Sequence, residues 1–278
     1  MQRSTAGEYS VLMSVYAKEN PDFLRQSMQS IYDQTVPTND FVLVCDGLLT
    51  VELDKVIEEM QEKFGKRLRV LRQGENRGLG ASLGLGVKKC KNELIARMDA
   101  DDVAREDRIE KQLEMFKNGD FDVVGSNIVE YDEGMKEIFG VRSVPEGDED
   151  IKEYAKRRNP INHMSVCYRK SKVIEAGNYQ DMPGFEDYYL WVRMMRRKCK
   201  FYNVQSSLVK VRGGTSMMKR RGGKNYSSWM RKFEKELKKM GFISFMEYCG
   251  NVVVRALSSA VPLSVRNGLY RRILRRRA

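Results

Sequence analysis

The sequence predicts an α/β fold, a mostly parallel sheet flanked by helices, with a basic helical extension behind it. Three observations carry the prediction. Apolar strand-like runs alternate with helical spacing about every 12 to 15 residues in the first half of the chain, the rhythm of βαβ units. Acidic residues recur just after those runs, at Asp46, Asp99, Asp101 and Asp102. The charge is also split. Residues 197–278 hold 21 Lys and Arg against 3 Glu and no Asp, a balance of +18, whereas residues 1–196 hold 29 basic and 35 acidic side chains.

Taken in order, residues 9–15 (YSVLMSV) form the first strand, and Pro21 opens a helix through about residue 34. Residues 41–45 (FVLVC) form the second strand, which ends at Asp46-Gly47. Helical spacing over 53–64 precedes a third strand at 68–71, and a helix over 79–90 leads to a fourth strand, 93–98 (ELIARM). That strand runs into Asp99-Ala100-Asp101-Asp102. A helix over 105–117 and a strand beginning at 122–126 follow. Right-handed crossovers put the strand C-termini on one edge, where open α/β sheets bind ligands. Residues 127–213 read as mixed strands and loops with one helix near 187–197. A Gly/Ser/Lys-rich loop (213–228), a basic helix (about 229–240) and a final segment from Asn251 complete the chain.

The 278 residues are 41% hydrophobic and 32% charged, which suits one large domain with an appendage and excludes a disordered or fibrous chain. Five cysteines (Cys45, Cys90, Cys167, Cys199, Cys249) lack the spacing of a zinc site or a disulfide framework, so a reduced, intracellular setting is expected. The first ten residues lack the apolar stretch of a secretion signal, and no uncharged apolar run reaches the roughly 18 residues of a membrane span.

Two constellations carry chemistry. Asp99 and Asp101, two apart on a turn at the end of a buried strand, can share one hard divalent cation and the diphosphate it neutralises. Acids there also suit a helix N-cap, but clustered buried carboxylates repel one another unless a cation is present. Glu186-Asp187 stands ahead of Trp191 at a helix start, where acids are favoured by the dipole.

Six segments in order carry a resemblance: SVYAKENP (14–21), LVCDG (43–47), ENRGLG (75–80), ARMDADD (96–102), INHMSV (161–166) and GFEDYYLW (184–191). Over roughly 8–213 the chain resembles the family 2 glycosyltransferases, of the kind that build bacterial capsule, O-antigen or exopolysaccharide. The resemblance implies a GT-A catalytic domain over 1–213, with a nucleotide-binding half (about 8–126) and an acceptor half (about 127–213). Residues 214–278 would then be a flexible basic loop and amphipathic helices. It implies an inverting, metal-dependent transfer of a sugar from a nucleotide-sugar, expected to be a UDP-sugar, to a glycan hydroxyl. Val15, Tyr16 and Glu19 would form the nucleotide loop, with Tyr16 against uracil and Asp46 accepting from the base. Asn76 and Arg77 would line the pocket, Asp99 would contact the ribose, and Asp101 would bind Mn²⁺ or Mg²⁺ with Asp99 and His163 as further ligands. Asp187 would be the general base, with Glu186 in support. Trp191 would either wall the acceptor site or belong to the core. Arg212, with Lys219, Arg220 and Arg221, would close over the diphosphate. The chain departs from many relatives at Gly84, where they carry Asn.

The last 28 residues hold seven Arg and no acid, and Val265, Leu269 and Ile273 recur at helical spacing. A basic amphipathic helix of this kind lies in an anionic membrane surface. The expected partners are therefore a nucleotide-sugar, a glycan or polyprenyl-diphosphate-linked acceptor and the inner face of the cell membrane. No nucleic acid is expected. A sugar-phosphate nucleotidyltransferase would open with a Gly-rich basic loop after its first strand, where this chain has SVYAKENP, and a nucleic-acid-binding protein would give the acidic edge no purpose.

Overall fold

A computed structural model describes residues 8–213 and 224–260 of the chain. Its elements are β1 (Ser10–Val15), α1 (Pro21–Tyr32), β2 (Asp40–Cys45), α2 (Val51–Phe64), β3 (Leu68–Arg72), α3 (Leu79–Lys89), β4 (Leu94–Asp99), β5 (Val103–Ala104), α4 (Arg108–Asn118), β6 (Val123–Tyr131) and β7 (Ile138–Arg142). There follow α5 (Asp148–Tyr154), β8 (Cys167–Arg169), α6 (Lys170–Glu175), α7 (Glu186–Arg196), β9 (Phe201–Arg212), α8 (Lys224–Lys239) and α9 (Phe245–Ala260).

One sheet runs in the order β3-β2-β1-β4-β8-β6-β9-β5, with β7 against β6. The joints β1–β2, β2–β3 and β1–β4 are parallel, as the βαβ rhythm predicts, and so is β6–β9. The joints made by β8, β5 and β7 are antiparallel, so the sheet is mixed. These strands are short or fall between loops, and the sequence offers no crossover helix to announce their direction. Residues 127–213 hold three helices rather than the single one expected, because α5 and α6 are too short to show a helical period.

Both sheet faces are covered, which explains why β2 reads as an unbroken apolar run. Along the strands, residues alternate between two cores. Leu12, Val42 and Val44 belong to the core that also holds residues of α3, α6, α7 and α8, whereas Val11, Met13, Phe41 and Leu43 belong to the one with α1, α2 and α4. Each full burial of a large apolar side chain contributes about 1.5–3 kcal/mol. Local signals set the helix starts. Pro21 occupies the first turn of α1 and Asn20 caps it, accepting from the Asp22 N–H at 2.8 Å, so Asn20 in SVYAKENP is a helix cap.

The register places the functional edge. Ser14 lies opposite Asp99 and Val15 opposite Cys45, which brings the C-terminal ends of β1, β2 and β4 side by side.

Candidate active site

Asp46 follows β2 directly, and its carboxylate is almost fully buried. It accepts from the Arg77 N–H at 2.7 Å and from the Gly78 N–H at 3.0 Å, and so pins the 75–78 loop against the strand ends. Gly47 allows this approach. It has φ +89°, and a Cβ there would stand 2.9 Å from the Asn76 nitrogen. Asn76 donates to the Asp46 carbonyl at 3.2 Å, while Arg77 is exposed and pairs with Glu75 at 3.0 Å. Val15 is buried beside them, and Tyr16 stands 39% exposed at the mouth of the loop. Glu19 is half-buried there.

The carboxylates of Asp99, Asp101 and Asp102 lie within 4.8 Å of one another. Asp102 is buried and accepts from the Arg212 N–H at 2.9 Å. Burial, then the negative charges of Asp101 and Asp99, push its carboxyl well above the usual range. Three clustered acids with one forced toward its neutral form fit a hard divalent cation, whose charge relieves the repulsion. His163 stands outside this group, and the third carboxylate is that of Asp102. His163 Nε2 lies 2.9 Å from the Tyr179 hydroxyl, and burial, then the Arg97 charge, push the imidazole well below its usual value.

Asp187 lies in the first turn of α7, directly after Glu186. Its Oδ2 accepts from Asn159 Nδ2 at 2.7 Å. Burial raises its carboxyl above the usual value, while Asn159, the Tyr188 backbone N–H, Arg97 and Arg142 pull the other way. Glu186 is raised too, first by burial. Gly80 lets the start of α7 nest on α3, since a Cβ at Gly80 would come 3.0 Å from Glu186 Cγ. At Gly84, where the chain departs from many relatives, Asn178 Nδ2 donates to the backbone carbonyl at 2.8 Å.

A match to the model of glycosyl transferase family 2 covers residues 10–177. The chain belongs to that family. It is 33% identical over 270 residues, 97% of each chain, to an Escherichia coli protein named UDP-Gal:alpha-D-GlcNAc-diphosphoundecaprenol beta-1,3-galactosyltransferase. It is 35% identical over 266 residues to the amylovoran biosynthesis glycosyltransferase AmsE of Erwinia amylovora, covering 94% of this chain and 97% of that one. Among solved structures, S. aureus TarS 1-349 in complex with UDP-GlcNAc matches at TM-score 0.64 and 15% identity, over 96% of this chain and 76% of that one. The mannosyltransferase PcManGT from Pyrobaculum calidifontis, in complex with GDP-Man and Mn²⁺, matches at 0.62 and 12% identity, over 95% and 73%. The fold of this glycosyltransferase is GT-A, and the nucleotidyltransferase reading falls away.

Two expectations change. Trp191 is fully buried in the core beside Tyr168, and its ring edge meets His163 at 6.1 Å between centroids, so it cannot stack on a sugar and does not wall the acceptor site. Its spacing with Leu190 and Met194 is that of a buried helix face. Arg212 is the last residue of β9 rather than part of a loop. Its guanidinium donates to the carbonyls of Asp101 at 2.7 Å and Glu133 at 2.9 Å and to Gln26, and it lies 4.0 Å above the Phe23 ring. It therefore fastens the acidic turn from behind. Lys219, Arg220, Arg221 and the segment with Val265, Leu269 and Ile273 lie outside the described residues.

Sequence reasoning missed Arg97 and Asn159. Arg97 is 1% exposed and forms an ion pair with Asp99. Its signal was available, since a charge inside the apolar strand LIARMD demands a partner. Asn159 carries no such signal, because only the fold brings it to Asp187.

Proposed function

We propose that this family 2 enzyme is an inverting, metal-dependent glycosyltransferase that moves a sugar from a UDP-sugar to a hydroxyl of a lipid-linked glycan in surface polysaccharide synthesis. The observation that carries the reading is the reach of one buried cation. Arg97 pairs with Asp99 of the acidic group, and its charge also acts on Asp187. Acids suited to a diphosphate and a carboxylate suited to a proton thus share one electrostatic neighbourhood. The names of the E. coli and Erwinia relatives, and the nucleotide-sugar ligands of the solved neighbours, support the donor and acceptor classes.

Asp99, Asp101 and Asp102 are the residues that would hold Mn²⁺ or Mg²⁺, and a cation bound there supplies positive charge to the diphosphate. Val15, Tyr16, Glu19, Asn76 and Arg77 surround the nucleoside, with Asp46 holding their loop in place. Asp187 takes the proton of the acceptor hydroxyl while that oxygen attacks the anomeric carbon from the face opposite the departing UDP. One displacement inverts the configuration. A carboxyl raised above its usual value is a stronger base, and its seat at a helix start keeps it aligned. Glu186 supports that alignment. His163, held neutral, orients Tyr179 on the same wall.

Residues 8–126 would carry the donor side, 127–213 the acceptor side, and 214–278 an appendage that attaches the enzyme to the inner face of the cell membrane. Among the described residues no helix is long and apolar enough to cross a membrane. The test is a donor screen with purified protein and Mn²⁺ or Mg²⁺, reading the UDP released as the sugar is transferred to a polyprenyl-diphosphate-linked acceptor. Release that is cation-dependent and lost in Asp187→Asn supports the reading. No release from any UDP-sugar sinks it.

A further inference from the structure

Helix α9 is built inside out. Its inner side is polar. Asn251 Nδ2 donates to the Lys156 carbonyl at 2.8 Å and to Glu234 at 3.0 Å, Arg255 pairs with Glu234 at 2.9 Å, and Glu247 faces Lys156 at 3.6 Å. Residues 247, 251 and 255 are spaced by four, so they share one helix face. Phe245, Met246 and Val253 project on the other side and are 60%, 79% and 55% exposed. An ordinary surface helix buries its apolar stripe and shows polar groups to water. Tyr248 still packs on the core, but Phe245, Met246, Val253 and Val254 are turned outward while the polar groups are spent on the protein.

The charge beside that face says what covers it. Helix α8 buries Met230, Phe233 and Leu237, and this turns Arg231, Lys232, Lys235, Lys238 and Lys239 to the exterior. Lys238 Nζ sits 4.5 Å from the Phe245 ring centre, which joins the basic stripe to the apolar face. Past the end of α8 the stripe continues into a cleft of about 460 Å³ lined by Arg193, Arg196, Arg197 and Met240. A protein partner that covered the apolar residues would also have to neutralise this row. An anionic lipid surface does both, taking the apolar side chains to acyl depth and the cations to the phosphates.

We propose that the outer face of α8 and α9 is a membrane-docking surface for anionic phospholipid, separate from the basic segment beyond residue 260. The proposal rests on the membrane attachment in the proposed function and assigns it to the outer faces of these two helices.

The test is flotation of the full chain with vesicles of phosphatidylcholine and phosphatidylglycerol in equal parts. The doubly substituted Met246→Asp/Val253→Asp chain should lose flotation about tenfold or more, since a charge on the inserting face opposes burial. Met246→Leu/Val253→Leu should float like the parent. Lys235→Gln/Lys239→Gln should weaken flotation about fivefold for each charge removed, with the remainder weakened further at high salt. Sugar transfer to a water-soluble acceptor, read as UDP released, should be unchanged throughout, because these residues lie outside the active site. Undiminished flotation of the Asp pair would overturn the proposal and leave attachment to the basic terminal segment. A parent chain that is dimeric by light scattering, with a monomeric Asp pair, would reassign the face to a second copy. A gel shift on nucleic acid that the Lys variants abolish, with flotation intact, would overturn it as well. Failure of the transferase reading would show independently, as absent UDP release from a parent chain that still floats.

Discussion

Asn159 donates to Asp187 Oδ2 at 2.7 Å, although 28 residues separate them and β8 lies between them in the sequence. The contact holds the carboxylate in one orientation and favours its charged form against the burial that disfavours it. Replacing Asn159 with Leu should therefore raise the Asp187 carboxyl further. The acidic limb of the pH–kcat/KM profile should shift to higher pH, with donor affinity nearly unchanged. An unshifted limb would show that Asn159 does not tune the base.

Asp187→Asn keeps size and hydrogen bonding but takes no proton. Transfer should fall by about 10²-fold or more, while UDP-sugar binding by calorimetry stays within a factor of a few. The same variant should be more stable. An acid whose folded-state value is raised makes its best contribution at low pH. That contribution is lost as pH rises from the usual carboxylate value through the raised one, so at neutral pH the ionised Asp187 costs stability. The Tm of Asp187→Asn should therefore exceed the parent's at pH 7 and approach it in acid.

Divalent cation should raise the Tm of the parent by several degrees at saturating concentration, following RT ln(1 + [L]/Kd). Asp101→Asn should abolish that rise and cation-dependent UDP binding without loss of the folded circular-dichroism spectrum. Asp102→Asn should be more stable than the parent at neutral pH in EDTA, because it removes a buried carboxyl whose ionisation burial and its two acidic neighbours oppose. A parent Tm indifferent to Mn²⁺ and Mg²⁺ would reject the cation site.

Trp191→Ala should cost about 3–5 kcal/mol by leaving a cavity in the core. Trp191→Phe should cost less and leave the acceptor KM unchanged. A selective rise in acceptor KM for the Phe variant would return Trp191 to the sugar site.

What could be read from the residues alone was whatever depends on local period and on neighbours in the chain. The β1–β4 alternation and the acids at the strand ends are of this kind, because a parallel sheet writes one crossover after another into the sequence. The direction of β8 and the partner of Asp187 were not legible. Each depends on a contact between distant segments that no local pattern records. Trp191 shows the same limit from the other side, since its motif suggested a sugar contact while its helix face points inward. Arg97 was legible in principle, as a lone charge in a buried strand.

Arg212 closes on the Asp101 carbonyl across 111 positions and on Gln26 across 186. The acidic turn is therefore made early in synthesis and buttressed late. A nascent chain that has emerged only as far as β8 already carries the three carboxylates and the strands that bear them, yet lacks the guanidinium that braces the turn. Cation affinity should thus arrive abruptly when β9 joins the sheet beside β6. A ribosome-stalled series of increasing length would register β9 as the step at which the growing polypeptide begins to capture Mn²⁺.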